Sequence, residues 1–165
     1  MTVDDLRFDA GSLSLNLVAT VGRRFGDPID RLGSDERLHE WLAGVGLAGV
    51  EVELARLRRL REYLDALFRA AHAGEPAPAD ALAAVNAAGA PQLSAGLTLA
   101  GTVEALVAAD AIRILAGAER ADLRVCAADD CRMLYLAQGR RERRWCSSER
   151  CGNRSRVAAH RARAR

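Results

Sequence analysis

Apolar residues recur at helical spacing along most of the first 120 residues of the chain. The longest such pattern covers residues 50–73, where leucines three or four positions apart share one side, while arginines and acidic residues occupy the other. This spacing predicts a long amphipathic helix with a buried apolar face. Glycine and proline at residues 74–78 predict its end, because neither residue continues a helix well. We therefore expect this helix to be the spine of a helical N-terminal domain.

Shorter segments on either side of this helix show related patterns. Ser12 and Ser34 each precede apolar residues at helical spacing, and a serine in that position can cap a helix. A small hairpin containing Leu93, Leu97 and Leu99 is predicted within residues 89–101, where proline and glycine exclude a long helix. The predicted shorter helices cover residues 12–22, residues 34 to 44 or 46, residues 79–88 with Leu82 and Val85 facing inward, and residues 102–117. The sequence thus predicts a mainly α fold.

All four cysteines fall into two pairs of equal spacing near the C-terminal end. Four residues separate Cys126 from Cys131, and four separate Cys146 from Cys151. Two such pairs can place four thiolates around one metal ion, in the closed tetrahedral arrangement of a structural zinc site. Disulfides and redox-active thiols are the alternatives. The chain opens without a recognisable signal segment, so we expect a reducing, cytoplasmic compartment, and we predict one structural Zn²⁺ bound by these four residues.

The residues around the cysteines predict what this metal holds together. Short apolar runs suit strands at residues 123–126 and 133–136, a turn is predicted at residues 138–140, and residues 144–146 are predicted to form the returning strand. Ser147 or Ser148 can cap a helix that continues through Arg163. A cysteine knuckle, a β-hairpin and this helix together predict a small treble-clef-like zinc finger. We expect loss of a zinc ligand to unfold the finger while the helical body stays folded.

The predicted finger helix has two distinct sides. Small residues share one side, which we expect to lie against the hairpin: Cys151, Ser155, Ala158, Ala159 and Ala162. The other side carries closely spaced arginines, including Arg165, which favour a polyanionic partner such as nucleic acid; a solvated tail is the alternative. Asn153 and Arg154 either read base edges or serve structurally, with Arg154 stacked on Trp145. The candidate nucleic-acid-binding residues are Arg150, Asn153, Arg154, Arg156, Arg161 and Arg163.

The net charge of +2 conceals an uneven distribution of charged residues. Residues 121–165 hold 12 arginines against 5 acidic residues, whereas residues 1–120 hold 12 arginines against 17 acidic residues. This division predicts an anion-binding finger at residues 121–165 on an acidic helical domain at residues 1–120, which we do not expect to bind DNA itself. The join between them is short, so we expect the two parts to be docked together. No stretch approaches the roughly 20 apolar residues of a membrane span.

We expect no enzymatic activity. A zinc ion with four thiolate ligands has no free coordination position for water or substrate. His39, His72 and His160 are far apart in the sequence, and phosphate-binding loops and nucleophile elbows are absent from it.

The finger motif resembles a known family. A cysteine pair followed by Arg144-Trp145-Cys146 and then by Cys151-Gly152-Asn153-Arg154 closely resembles the CGNR zinc finger, which is named after its last four residues. In that family the finger follows a helical domain called ABATE, described as a regulator of transcription induced by stress. The resemblance implies a bacterial DNA-binding regulator.

The N-terminal part resembles the same family. Residues 13–20 and the later Leu38-His-Glu-Trp41-Leu42 are similar to the opening of ABATE, although Asn16 and Ala19 stand where the family has Asp and Asn. We therefore expect a zinc-dependent transcription regulator that binds double-stranded DNA. Its helical domain would serve as sensor of a small-molecule effector or as homodimerisation body. The alternative is a zinc-stabilised module that binds RNA or an acidic protein surface.

Overall fold

The structure is a computed structural model that describes residues 5–137 and 143–163. The turn predicted at residues 138–140 and the predicted basic residue Arg165 lie outside the described residues. Helices dominate the described part, together with three short antiparallel sheets of two strands each. The predicted fold class, a mainly helical N-terminal domain followed by a hairpin and a helix that carry four cysteines, is confirmed.

The helical body is built around three helices that contact one another, α1, α3 and α5. Its elements in chain order are α1 (Leu13–Val18), β1 (Val21–Gly22), β2 (Ile29–Asp30), α2 (Asp35–Gly44), α3 (Leu54–Ala73), α4 (Ala79–Ala87), β3 (Gln92–Leu93), β4 (Leu99–Ala100) and α5 (Val103–Ala116). After a 3₁₀ turn at Ala118–Asp122, the finger contributes β5 (Leu123–Val125), β6 (Leu134–Leu136), a π-helical turn at Ser148–Gly152 and α6 (Asn153–Arg163).

Helix α1 is shorter than its sequence pattern predicts. Ser12 caps it as expected, because its Oγ accepts a hydrogen bond from the backbone N–H of Leu15 at 3.3 Å. The helix ends at Val18 instead of continuing to residue 22, since the next residues turn into β1, which pairs with β2. The Thr20 hydroxyl donates to the carbonyl of Leu17 at 2.6 Å, which satisfies an acceptor at the helix end.

Helices α2 and α3 follow the predicted pattern closely. Ser34 caps α2 through the N–H of Arg37, and the helix ends at Gly44. Helix α3 starts at Leu54, four residues later than the sequence indicates, and buries one face along its length. Gly74 ends α3 with a positive φ of 73°, a conformation that glycine adopts without the penalty other residues incur.

The segment from α4 to α5 departs from the predicted burial. Leu82 was expected to face inward, but its side chain is 47% exposed, and Ala81 and Val85 are the residues of α4 that pack inward. The predicted hairpin is present as β3 and β4, with Leu97 79% exposed at its tip. Thr102 caps α5, which spans the predicted range to within a residue.

The strands predicted at residues 123–126 and 133–136 are confirmed as β5 and β6, but the second strand pairs with the first instead of with residues 144–146. Strand β5 pairs antiparallel with β6, so the first cysteine pair lies in the loop between the two strands. The predicted return strand at residues 144–146 is wrong, because these residues are not in a strand. The Arg144 carbonyl instead accepts a single bond from the N–H of Ala127 at 2.9 Å. The chain must curve here to bring Cys146 toward Cys126 and Cys131.

The finger hairpin packs into the core of the helical body. Leu123, Leu134 and Tyr135 are almost completely buried and belong to the same apolar cluster as the residues of α1, α3 and α5. The N–H of Leu136 donates to the carbonyl of Ala10 at 2.8 Å, so β6 also hydrogen-bonds the chain just before α1. The predicted docking of the two parts is confirmed by these contacts.

Within residues 5–137 and 143–163, no helix is both long enough and apolar enough to cross a membrane.

Candidate metal centre

Two local turns bring the four cysteines to one place. Cys126 follows β5 directly, and the N–H of Cys131 donates to the carbonyl of Ala128 at 2.9 Å, which closes the turn between the first pair. Ser147 caps the π-helical turn by accepting from the N–H of Arg150 at 3.2 Å, and this turn carries Cys151. The equal spacing of the two pairs therefore arises from two different local structures.

The geometry of the cluster fits one tetrahedral zinc ion. The four Sγ atoms lie within 4.8 Å of one another, and Cys146 Sγ is 3.6 Å from the Sγ atoms of both Cys131 and Cys151. Zn–S bonds of about 2.3 Å at tetrahedral angles require S···S distances of about 3.8 Å. These separations are much too long for disulfides, whose sulfurs lie about 2.05 Å apart. Cys126, Cys131, Cys146 and Cys151 can thus hold the one Zn²⁺ that the sequence predicts.

Four thiols this close cannot all ionise without a cation. Hydrogen bonds from Cys131 and the other two thiols lower the pKa of the Cys126 thiol, which favours its thiolate. The hydrogen bond with Cys126 raises the pKa of Cys131, because Cys131 is held as a donor, and it raises the pKa of Cys151 in the same way. A bound Zn²⁺ removes this restriction, since a coordinating thiol loses its proton. The cluster therefore has the chemistry of a cation site.

Two arginines lie against the sulfur cluster from opposite ends of the chain. Arg7 Nη2 is 3.6 Å from Cys146 Sγ, and Arg154 Nη2 is 3.3 Å from Cys151 Sγ. Four thiolates exceed the charge of one Zn²⁺, so two guanidinium groups compensate the remaining negative charge. Arg7 is only 5% exposed and also bonds Asp9 through both oxygens. Sequence reasoning missed Arg7, because it lies 139 residues from its cysteine with no local motif to mark it.

Arg143 braces the loop that leads to the second cysteine pair. Its guanidinium lies 4.7 Å from the centre of the Tyr135 ring, and its Nε donates to the Trp145 carbonyl at 2.8 Å. It also donates to the carbonyl of Cys146, while the Tyr135 hydroxyl donates to the carbonyl of Arg143. The buried tyrosine thus fixes the approach of the chain to the zinc ligands, a role that the sequence does not reveal.

Helix α6 leaves the cluster without packing against the hairpin. All its residues are exposed except Ser155, which is half-buried. The expectation that the small residues Ala158, Ala159 and Ala162 lie against the hairpin is wrong. The exposure of these alanines shows that, within the described residues, α6 extends away from the hairpin beyond its first turn. The sides of α6 beyond this turn are therefore open to a partner.

The six candidate nucleic-acid-binding residues fall into two groups. Arg150 is 17% exposed and lies 3.8 Å from Asp5, while Arg154 forms an ion pair with Asp130 at 3.0 Å. The contact of Arg154 with Trp145 considered from the sequence is wrong: Arg154 contacts Asp130 and Cys151 while its side chain stays 55% exposed, and the arginine over the Trp145 ring is Arg144, at 5.5 Å. The remaining four are exposed along α6: Asn153, Arg156, Arg161 and Arg163.

The two positions at which the N-terminal opening differs from the ABATE pattern have distinct surroundings. Asn16 is structural here, because its Oδ1 accepts a hydrogen bond from the N–H of Ala10 at 3.0 Å. Ala10 is the residue whose carbonyl receives the hydrogen bond from β6, so Asn16 supports the contact between body and finger. Ala19 is buried and lies in the wall of a cleft beside the cysteine cluster.

The family comparisons agree with the two parts seen in the structure. The family model named ABATE, described as "Putative stress-induced transcription regulator", matches residues 11–118, which is well over half of the chain. The family model of the CGNR zinc finger matches residues 123–164. Among curated proteins, none matches this chain. The chain therefore belongs to the ABATE family and carries at its C-terminal end a CGNR zinc finger whose four cysteines can hold one zinc ion.

Proposed function

We propose that this protein is a zinc-dependent DNA-binding transcription regulator whose finger helix contacts the phosphate backbone. The observation that carries the proposal is α6, a helix with four arginines and one histidine whose described residues are all at least partly exposed. A helix that contributes nothing to the core and concentrates positive charge is suited to a polyanion. The uneven charge of the chain supports the same assignment, because the body is net acidic.

The two groups of basic residues have different roles in this proposal. Arg156, Arg161 and Arg163 are exposed and supply the backbone contacts. Arg154 is held by Asp130 and Cys151 and orients the start of the helix. Asn153 is exposed at the first position of α6, where its amide can reach a base edge and form two hydrogen bonds with adenine.

Zinc has a structural role in this function. The closed set of four thiolates leaves no position for a reacting water, so the chain's cysteines hold the shape that presents α6. The protein is accordingly proposed to be a binding protein without enzymatic activity. The helical body supplies either an effector site or a dimer contact, and the docked hairpin links it to the finger.

The proposal is tested by titrating a duplex DNA of mixed sequence with the zinc-loaded full chain at several salt concentrations. We expect Arg161→Ala to lower the slope of log K against log salt by about 0.9, the value for one lost phosphate contact. Arg56→Ala is the matched control, since it removes an exposed arginine from α3, where Glu53 already pairs with it at 3.0 Å. The control should leave the slope unchanged.

Two results would contradict the proposal. If the zinc-loaded protein shows no saturable binding of duplex DNA, DNA is not the partner. If it binds DNA but Arg156→Ala, Arg161→Ala and Arg163→Ala leave affinity and slope unchanged, α6 is not the contact. Stronger binding of single-stranded RNA than of the duplex would instead favour a zinc-stabilised RNA-binding module.

A further inference from the structure

A cleft of about 570 Å³ lies between the helical body and the finger, beside the cysteine cluster. The body contributes the segment from Ala19 to Arg23 together with Arg31, and the finger contributes residues 149–151, among others. This volume falls within the roughly 300–1,000 Å³ that pockets for small molecules occupy. We propose that this interdomain cleft binds a small organic molecule carrying a phosphate or carboxylate group, through the guanidinium groups of Arg23 and Arg150.

The charge of the cleft favours an anion. Its wall holds two acidic residues, Asp130 and Glu149, and five arginines: Arg7, Arg23, Arg31, Arg150 and Arg154. Two of these arginines are already used, since Arg7 pairs with Asp9 and Arg154 pairs with Asp130, and both also contact the sulfurs. Arg23 has no acceptor among the residues that the structure describes, and it is exposed at the rim. A guanidinium fork in this position can bond phosphate or carboxylate through two parallel N–H groups.

Arg150 provides the second observation. Its Nη2 is completely buried and lacks a hydrogen-bond acceptor within the described part of the chain. Its ion-pair partner, Asp5 Oδ2, lies 3.8 Å away, which is beyond hydrogen-bond distance. Buried N–H groups of arginine are almost always satisfied, because leaving one without an acceptor is unfavourable. The Arg150 side chain lines the cleft and is 17% exposed, and because Asp5 lies as far as 3.8 Å away, the exposed part of the guanidinium can also bond a ligand anion there.

The rest of the wall indicates that the ligand also has an apolar part. Ala19, Val21 and Met133 line the cleft alongside the arginines. Arg31 lies against Gly22, where a Cβ atom would be only 2.4 Å from its Nη2, so a larger residue there would displace the guanidinium from this position. Pockets that combine a mainly apolar lining with a few placed polar groups are typical sites for small molecules.

Such a ligand would join the two parts of the protein. Arg23 belongs to the loop between β1 and β2 of the body, whereas Arg150 belongs to the π-helical turn that carries Cys151. An anion that contacts both guanidinium groups would hold the finger in one position against the body. This inference concerns the cleft alone and does not depend on whether α6 binds DNA.

The test uses the zinc-loaded full chain and isothermal titration at constant ionic strength. The probe is phenyl phosphate, which combines an anionic group with an apolar ring, and phenol is the neutral control. We expect saturable binding of phenyl phosphate at one site and none of phenol. Arg23→Gln and Arg150→Gln should each weaken binding about tenfold or more, because each removes a charge-assisted hydrogen bond. Arg56→Gln, an exposed change on α3 outside the cleft, should bind as the wild type does.

The outcomes separate the proposal from its alternatives. Absence of saturable binding, equal binding of phenol, or full binding by both Arg23→Gln and Arg150→Gln would overturn it. If Arg150→Gln does not fold or loses zinc, Arg23→Gln decides, since its side chain is exposed. A competition titration with duplex DNA identifies the source of the anion. Mutual exclusion would place a DNA backbone phosphate in the cleft and overturn the small-molecule assignment, whereas independent binding supports it.

Discussion

The cysteine cluster is the anchor of the last described segment, residues 143–163. Within this segment the buried residues are Cys146, Cys151 and Gly152, and Trp145 is the partly buried apolar residue that packs against the core, so the segment's apolar contact with the core is small. The hairpin differs, because Leu123, Leu134 and other residues of β5 and β6 are buried in the shared core. Each buried leucine contributes about 1.5–3 kcal/mol before the opposing entropy is counted. We therefore expect loss of zinc to release residues 143–163 while the hairpin stays docked.

Cys146→Ala is the perturbation that tests this expectation. It removes a completely buried ligand whose sulfur is close to two other cysteines and to Arg7. Helix α6 has 11 residues, and an isolated helix shorter than about 12–15 residues is marginal in water. Helices α3 and α5, with 20 and 14 residues, should remain. The helical signal in far-ultraviolet circular dichroism should fall by roughly one sixth, in proportion to the residues of α6.

Limited trypsin digestion locates the change. The side chain of Arg150 is 17% exposed in the folded protein, so cleavage after it should be slow in the wild type and rapid in Cys146→Ala. Ser155→Ala is the matched control, since it alters α6 without touching a ligand. Loss of most helical signal would refute the reasoning, because the body would then depend on the metal. A variant that retains α6 and resists trypsin would also refute it, because residues 143–163 would then stay folded without the metal.

Three further substitutions test the body and the finger separately. Burial alone would raise the pKa of Asp110, but hydrogen bonds, chiefly from Ser14, hold it below the ordinary value of 3.8. The stabilisation that the Asp110 carboxylate provides is therefore present above about pH 4 and lost as the pH falls further. Asp110→Asn should lower the free energy of unfolding by about 1–2 kcal/mol at neutral pH. Urea unfolding should show this difference at neutral pH and no difference in acid. Leu64→Ala empties a fully buried position and should cost about 2–5 kcal/mol in the same assay; a smaller loss would mean that α3 is not the spine. Gly152→Ala would place a Cβ 3.2 Å from Trp145 Cδ1, so we expect a loss of about 1 kcal/mol and faster zinc release to a chelator, whereas unchanged release would show that the tryptophan can move aside.

The sequence by itself determined the features that depend on short-range chemistry. Ser12 and Ser34 start helices where their hydroxyls can accept a backbone N–H, and each was identified from its position before an apolar pattern. The cysteine spacing likewise indicated a four-thiolate site, because tetrahedral coordination requires paired ligands on short loops. Such features are decided within a few residues of the chain, so they can be read without knowing the fold.

Only the tertiary structure decided which partners meet across the chain. The pairing of β5 with β6, the exposure of Leu82 and the position of Arg7 at Cys146 follow from how the hairpin packs against α1, α3 and α5. The division of the basic residues has the same origin, because Arg154 and Arg161 look alike in the sequence, but only Arg154 is close to Asp130. A side chain's role depends on the charges and apolar surfaces that surround it, and folding brings these together from residues far apart in the sequence.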